Sequence, residues 1–452
     1  MFPIPYTPHG ICMGTIEHDI AFLLREVYSA FMDQLGNRPL YEWFLFFFPF
    51  FVFGEIPRYI IPALIILGDR IFGLTRENEE AKKRFMLTTP SVSVLLVGYN
   101  EAPNIANAIE SLIEFDYPAM EIIVVDDGST DGTYQAAKPY ADRGLIKLYR
   151  NNSASGRSGR PAASNMALQL ATGDFILSVD ADTSFDHDAL NQMIAPFHDP
   201  EVGVVAGNLK PRNADKNLLT RMQALEYLQS ITLWKSWLEL LGWNMQASGA
   251  FGAFRREALQ EVAAWDPELA EDADLSLKLK KAGWKIVFAS KAIAMTNVPE
   301  DIHRLVVQRH RWDRGLLRTY FRKHISLMKF WQFDWRNTVE MSLELVFSVL
   351  LTVFYVIWLV FMCIFFPNIL LFAIVIMYFI YIAVTILTVG VAISTSERGR
   401  EEISLLLFAP VFPLYKSFFR WVRLYSFILE YFRLNYEQSY LPESAWRNAK
   451  KW

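Results

Sequence analysis

Two long apolar ends enclose a middle of mixed charge, and this distribution constrains the fold of the 452-residue chain more than any single motif. The whole is 52% hydrophobic and 15% aromatic, with a mean hydropathy of +0.17, more apolar than an ordinary soluble protein of this size. The excess lies at the ends, whereas the stretch from Pro90 to His324 has the balance of one globular domain able to bury a large core. Net charge is -4, from 44 Lys and Arg against 48 Asp and Glu, so no basic field argues for nucleic acid. Cys12 and Cys363 sit in dissimilar contexts, which speaks against a disulfide and fits a reducing compartment.

The apolar ends sort by length. Trp43–Leu67 is long enough to cross a bilayer, although Glu55, Pro57 and Arg58 interrupt it. The proline-containing, non-basic start of the chain does not resemble a signal peptide. Met341–Phe366 and Ile369–Ser394 are cleaner spans, joined by Pro367 and Asn368 as a helical hairpin. Ile403–Phe432 carries Lys416, Arg420 and Arg423 among aromatics, and spans, re-enters or lies in the interface. Before the first of these C-terminal spans, Arg304, Arg309, Arg311, Arg314, Arg318, Arg322, Lys323 and Lys329 alternate with apolar residues. Basic residues beside a span favour the cytoplasmic side, so the central domain is expected to be cytosolic, in a cell-membrane protein that contacts lipid. The same stretch reads either as an amphipathic interface helix or as a solvated basic helix. The expected organisation is residues 1–89 as an amphipathic N-terminal region with one span, 90–303 as the α/β domain, 304–340 as interface helices, 341–432 as C-terminal spans and 433–452 as a tail.

Within the domain, Ser91–Val97 is a β-branched apolar run followed by Gly98-Tyr99-Asn100-Glu101 and a helix over Asn104–Glu114. A second strand, Glu121–Val125, ends in Asp126-Asp127-Gly128-Ser129, and a third, Phe175–Val179, ends in Asp180-Ala181-Asp182. Strands alternating with helices imply a largely parallel sheet, whose ligands bind beyond the carboxyl ends of its strands. Asp180 and Asp182 can face one hard divalent cation, Mg²⁺ or Mn²⁺, or simply form a solvated turn. Asp126 and Asp127 can accept from a nucleobase N–H or close an Asx turn. Glu271 and Asp272 open a helix, where acids serve as caps or, in the functional reading, supply a general base that takes a proton from an acceptor hydroxyl.

Ser91–Glu101, Val125–Asp131, Asp180-Ala181-Asp182, Glu271-Asp272 and Gln308-Arg309-His310-Arg311-Trp312 together resemble the ordered motifs of family-2 glycosyltransferases. The likeness is to the membrane branch of hyaluronan, chitin, cellulose and poly-N-acetylglucosamine synthases, and it covers about Pro90 to Tyr320. The resemblance implies a GT-A fold and inverting transfer from a UDP-sugar to a growing polysaccharide, coupled to translocation across the membrane. Tyr99 and Asp127 would hold the base, with Glu101 and Asp126 beside them, and Asp180 with Asp182 the metal. Asp272, next to Glu271, would activate the acceptor. Gln308 and Arg311 would contact the diphosphate or acceptor, and Trp312 would offer a flat face to a sugar ring. Ala247–Arg256 is similar to the stretch that lines the acceptor site in that branch, which assigns Ser248 and Gly249 there.

The chain departs from that pattern in places. Gly159-Arg160-Pro161 stands where many relatives have Gly-Lys, so Arg160 is the expected phosphate contact. The gating loop and fused regulatory domain of bacterial cellulose synthases are not visible, which favours an amino-sugar or other simple polymer. His303 and His310 lack cysteine partners for zinc. A non-processive glycolipid synthase uses the same motifs, and a catalytically silent secretion component is a further alternative.

Overall fold

In the computed structural model, residues 39–432 are described except 74–77, 116, 152–156, 244 and 245, together with Arg25, Ser29 and Gly36. Most of the expected N-terminal amphipathic region, Cys12 and the 433–452 tail therefore lie outside the described residues. The first long apolar helix, α1, is Phe51–Phe72, several residues later than the expected 43–67. Its first ten residues are wound as a wider π-helix that accommodates Pro57, which lacks the amide a regular turn would use.

Eight strands form one sheet in the order β3-β2-β1-β4-β7-β6-β8-β5. The strands are β1 Val92–Gly98, β2 Met120–Asp126, β3 Lys147–Arg150, β4 Phe175–Asp180, β5 Ser184–Phe185, β6 Val202–Pro211, β7 Phe251–Arg255 and β8 Lys285–Thr296. The expected parallel pairing holds for β3, β2, β1 and β4. β7 instead inserts antiparallel between β4 and β6, so the sheet is mixed. Gly207 of β6 makes room for this, since a Cβ there would stand 2.0 Å from the Phe251 ring. The near-continuous apolar runs follow from burial on both faces. Val94, Leu96, Leu177 and Val179 pack toward the Ile105–Ile113 helix, while Leu95, Ile123 and Ile176 pack toward helix α2, Arg160–Leu170.

Beyond the sheet come α3, Glu271–Lys281, and α4, Ile302–Arg318, the latter capped by Asp301 accepting from the Arg304 amide. Two further helices are long and apolar enough to cross a bilayer: α5, Trp335–Phe365, and α6, Pro367–Thr395. Pro367 opens α6 at its first turn, where a missing amide costs nothing, and so allows the tight hairpin. The last apolar segment is two pieces bent by 80°, Gly399–Phe408 and α7, Phe412–Tyr431. Pro410 and Pro413 flank the bend.

The basic stretch before α5 requires a correction. It is neither a solvated helix nor a row of charges free for lipid headgroups, because Arg309, Arg314, Arg318, Arg322 and Lys323 are ion-paired inside the protein. Arg314 and Arg322 both reach Glu430 of α7, which is fully buried, and Arg423 of α7 pairs with Asp313. Charges spent on internal pairs carry little of the orientation signal that the stretch suggested.

Candidate active site

Parallel pairing brings the acidic strand ends to one edge. Val97 of β1 lies opposite both Val125 and Asp180, and Gly98 opposite Asp126. Past Gly98 the chain turns through Asn100, whose φ of 58° suits an asparagine better than most residues. The Asn100 amide donates to Ser129 Oγ and its side-chain oxygen accepts from the Thr130 amide, lacing the loop after β1 to the loop after β2. The Glu101 amide donates to Thr133 Oγ1, and Asn104 donates to the Glu101 carboxylate. Burial, with Asp182, Asp180 and Asp131 nearby, holds that carboxyl above the usual range.

Both acids after β2 are used by the protein itself. The Asx turn is formed at Asp126, where the Ser129 amide donates to Oδ1 at 3.0 Å and Arg150 stands 3.2 Å from Oδ2. Asp127 Oδ1 accepts from Asn151 Nδ2 and from the amide and hydroxyl of Ser158, and Oδ2 accepts from the Gly159 amide, all within 2.7–2.9 Å. Four donors, three on Oδ1 and one on Oδ2, use the acceptor capacity of this carboxylate. Asp127 therefore anchors the strand of loop that carries Arg157 over the Tyr99 ring, 4.2 Å from its centroid, and that delivers Arg160 to the first turn of α2.

Arg160 is the hub. Its guanidinium is 2.5 Å from Asp180 Oδ1, donates to the Gly249 carbonyl at 2.5 Å, and lies 3.7 Å from Glu271. The Gly249 amide in turn donates to Asp272 Oδ2 at 3.1 Å. The expected metal acid, the expected base and the expected acceptor loop thus form one connected cluster. Ser248 sits in the turn into β7, its carbonyl accepting from the Phe251 amide. Asp180 and Asp182 are both half-buried, and burial and the Asp180 charge push the Asp182 carboxyl up. Two like-charged oxygen donors at a strand end fit a hard divalent cation. Among the described residues no group of three or more His, Cys, Asp or Glu could hold a metal, so further ligands would have to come from substrate or water. Glu271 is raised by burial first, against the pull of Arg160 and Arg311.

That interaction puts Arg311 of α4 on the same cluster. The close approach depends on Gly315, where an added Cβ would stand 2.8 Å from that of Ala270, directly before α3. Gln308 Oε1 is enclosed with no hydrogen-bond partner among the described residues. Trp312 is 42% exposed, with Arg309 stacked on it at 4.2 Å, and Arg309 is fixed by Glu226, which also accepts from Tyr415. His303 is exposed, and His310 bonds Ser426 of α7 instead of any metal-type cluster.

Two site residues, Arg157 and Lys235, and one role, that of Asp127 as an anchor, escaped the sequence reading. Arg157 and the anchoring duty of Asp127 depend on a loop closure that no motif announces. Lys235, from the Trp234–Leu241 helix, donates to the Gln246 carbonyl at 3.2 Å, and burial lowers its pKa to about 8 although the Asp272 charge pulls it upward. A lone lysine inside an aromatic helix gave no signal.

Three comparisons bear on this geometry. The sequence family described as Glycosyl transferase family 2 matches residues 93–263. A poly-beta-1,6-N-acetyl-D-glucosamine synthase of Staphylococcus aureus (strain COL) is 31% identical over 299 residues, covering 63% of this chain and 68% of that protein. The protein of the same name from Staphylococcus epidermidis is 31% identical over 283 residues, 60% of this chain and 64% of its own. In three dimensions the chain is similar to mannosyltransferase PcManGT from Pyrobaculum calidifontis, solved with GDP-Man and Mn²⁺, with a TM-score of 0.50, covering 79% of this chain and 99% of that one. At 20% identity this likeness speaks for the GT-A fold alone.

Proposed function

Because the chain belongs to glycosyl transferase family 2, in the branch of the poly-β-1,6-N-acetylglucosamine synthases, we propose that it transfers N-acetylglucosamine from a UDP-sugar to a growing polysaccharide. The observation that carries this reading is the single cluster linking Asp180, Arg160, Gly249 and Asp272. Donor and acceptor halves of a transfer reaction need to meet within bond-forming distance, and this cluster joins the residues assigned to each.

Asp272 takes the proton of the acceptor hydroxyl as that oxygen attacks the anomeric carbon. The bond from that carbon to the diphosphate breaks, and its electron pair leaves with the nucleotide, so the anomeric configuration inverts. Arg160 and Arg311, both beside Glu271, draw the diphosphate toward the cluster. Asp180 and Asp182 would hold Mg²⁺ or Mn²⁺, which neutralises charge on the departing diphosphate. Tyr99 with Arg157 offers a surface for the base, above the loop that Asp127 anchors. Trp312 offers its exposed face to the acceptor sugar. In this reading the catalytic domain faces the compartment that supplies the nucleotide-sugar, taken as the cytosol, and the C-terminal spans help to form a path by which polymer leaves.

Release of UDP tests the reading. Purified protein with Mn²⁺ and a panel of UDP-sugars is expected to turn over UDP-N-acetylglucosamine fastest, and no release from any donor would sink the proposal.

A further inference from the structure

A cleft of about 740 Å³, counted with its open mouth, lies between α5, α6 and α7, and shares no lining residue with the acidic cluster. Its wall is formed by Phe50, Tyr355, Trp358, Tyr378 and Tyr381 together with Leu414, Met377 and other apolar groups. Two cations enter it from successive turns of α7, Lys416 and Arg420, and its lining contains no carboxylate. Lys416 is partly neutralised by Glu55 of α1 at 3.7 Å. Arg420 lies over the Tyr355 ring at 4.4 Å and has no carboxylate within 4.0 Å among the described residues. The cleft is thus apolar and aromatic in its body and positive at one side.

The rest of α7 fixes its depth. Leu414, Phe418, Trp421, Tyr425 and Ile428 repeat at helical spacing and are all exposed, which makes an apolar, aromatic stripe. The opposite face is buried on α4 through Ser426 and Glu430. A helix that is covered on one side and presents Trp, Tyr and Leu on the other belongs at the boundary between headgroups and acyl chains. The cleft between that helix and the spans therefore opens where lipid headgroups lie. Basic pockets between spans at this level bind anionic headgroups.

We infer that this cleft is a binding site for one anionic phospholipid, its phosphate on Arg420 and Lys416 and an acyl chain along Tyr355, Trp358 and Met377. The inference does not rest on the proposed reaction, since none of these side chains belongs to the acidic cluster.

Native mass spectrometry of the full chain released from nanodiscs of equal phosphatidylglycerol and phosphatidylcholine tests it. The wild type is expected to retain one phosphatidylglycerol in preference to phosphatidylcholine. Lys416→Gln with Arg420→Gln should reduce that preference about thirtyfold, the effect of two cations near a membrane surface. Ser417→Phe, which fills the cleft and keeps both charges, should abolish retention, with thermal unfolding and circular dichroism reporting that each variant is folded. Equal retention of the two lipids by the wild type, or an unchanged preference in both variants, overturns the inference. So does retention of an oligosaccharide in place of lipid.

Discussion

At the scale of residues, Asp272, which accepts from the Gly249 amide, and Asp182, two residues past the Asp180 that Arg160 pairs with, should separate under mutation. Asp272→Asn is expected to lower kcat by about a hundred- to ten-thousandfold, the ordinary contribution of a general base, while UDP binding in Mn²⁺ stays nearly intact. Asp182→Asn should lose both turnover and the metal dependence of UDP affinity. Rates measured beside equilibrium binding of UDP distinguish them, and a near-normal rate for Asp272→Asn would return that residue to a capping role. A second residue prediction concerns pH. His324 is buried against Asp274, two residues after Asp272, and burial lowers its affinity for a proton. A histidine whose folded pKa is depressed binds fewer protons in the fold than in the unfolded chain. Its contribution is therefore present above the unfolded value of about 6.5 and is lost as pH falls below it. Thermal stability should fall as pH drops from about 7 to about 5, and His324→Gln should flatten that slope.

At the scale of elements, α4 and α7 are held by charges that neither could leave alone in the interior. Glu430→Gln strips the partner from Arg314 and Arg322 and is expected to destabilise the protein by about 3–5 kcal/mol, the usual effect of breaking a buried pair. An unfolding midpoint equal to that of the wild type would contradict it. Trp312→Ala tests the element's working face. An acceptor platform predicts loss of elongation with membrane attachment and UDP binding kept, whereas an interface anchor predicts weakened attachment and normal transfer to a soluble acceptor. What the sequence made legible at this scale follows from period and length. The strands ending at Gly98, Asp126 and Asp180 were readable because runs buried on both faces stay mostly apolar, with only Ser93, Glu121 and Ser178 inside them. β7 was not, because Phe251–Arg255 carries two small residues and its antiparallel insertion depends on partners distant in sequence. The eight basic residues before α5 were visible, but their partners Glu226, Glu268 and Glu430 come from three separate elements, so pairing could not be distinguished from a membrane-facing charge row.

At the scale of the whole molecule, the catalytic sheet and the apolar helices are joined by specific contacts. Lys210 of β6 donates to Ser396 directly after α6, and Arg398 in the same turn pairs with Asp186, four residues past Asp182. Gln229 donates to Thr388 inside α6. Motif order made the acidic cluster readable in advance, because each acid follows a strand whose end the fold must bring to one edge. The hub role of Arg160 was only half readable, since its contacts with Gly249 and Glu271 span about a hundred residues of chain. The measurement that tests the account most directly is the product made by wild-type proteoliposomes from labelled UDP-N-acetylglucosamine and Mn²⁺, sized before and after a polymer-degrading enzyme is added on the catalytic side. The account predicts a ladder of long chains, a fraction of which resists digestion; a single sugar added to lipid, or no incorporation at all, would contradict it.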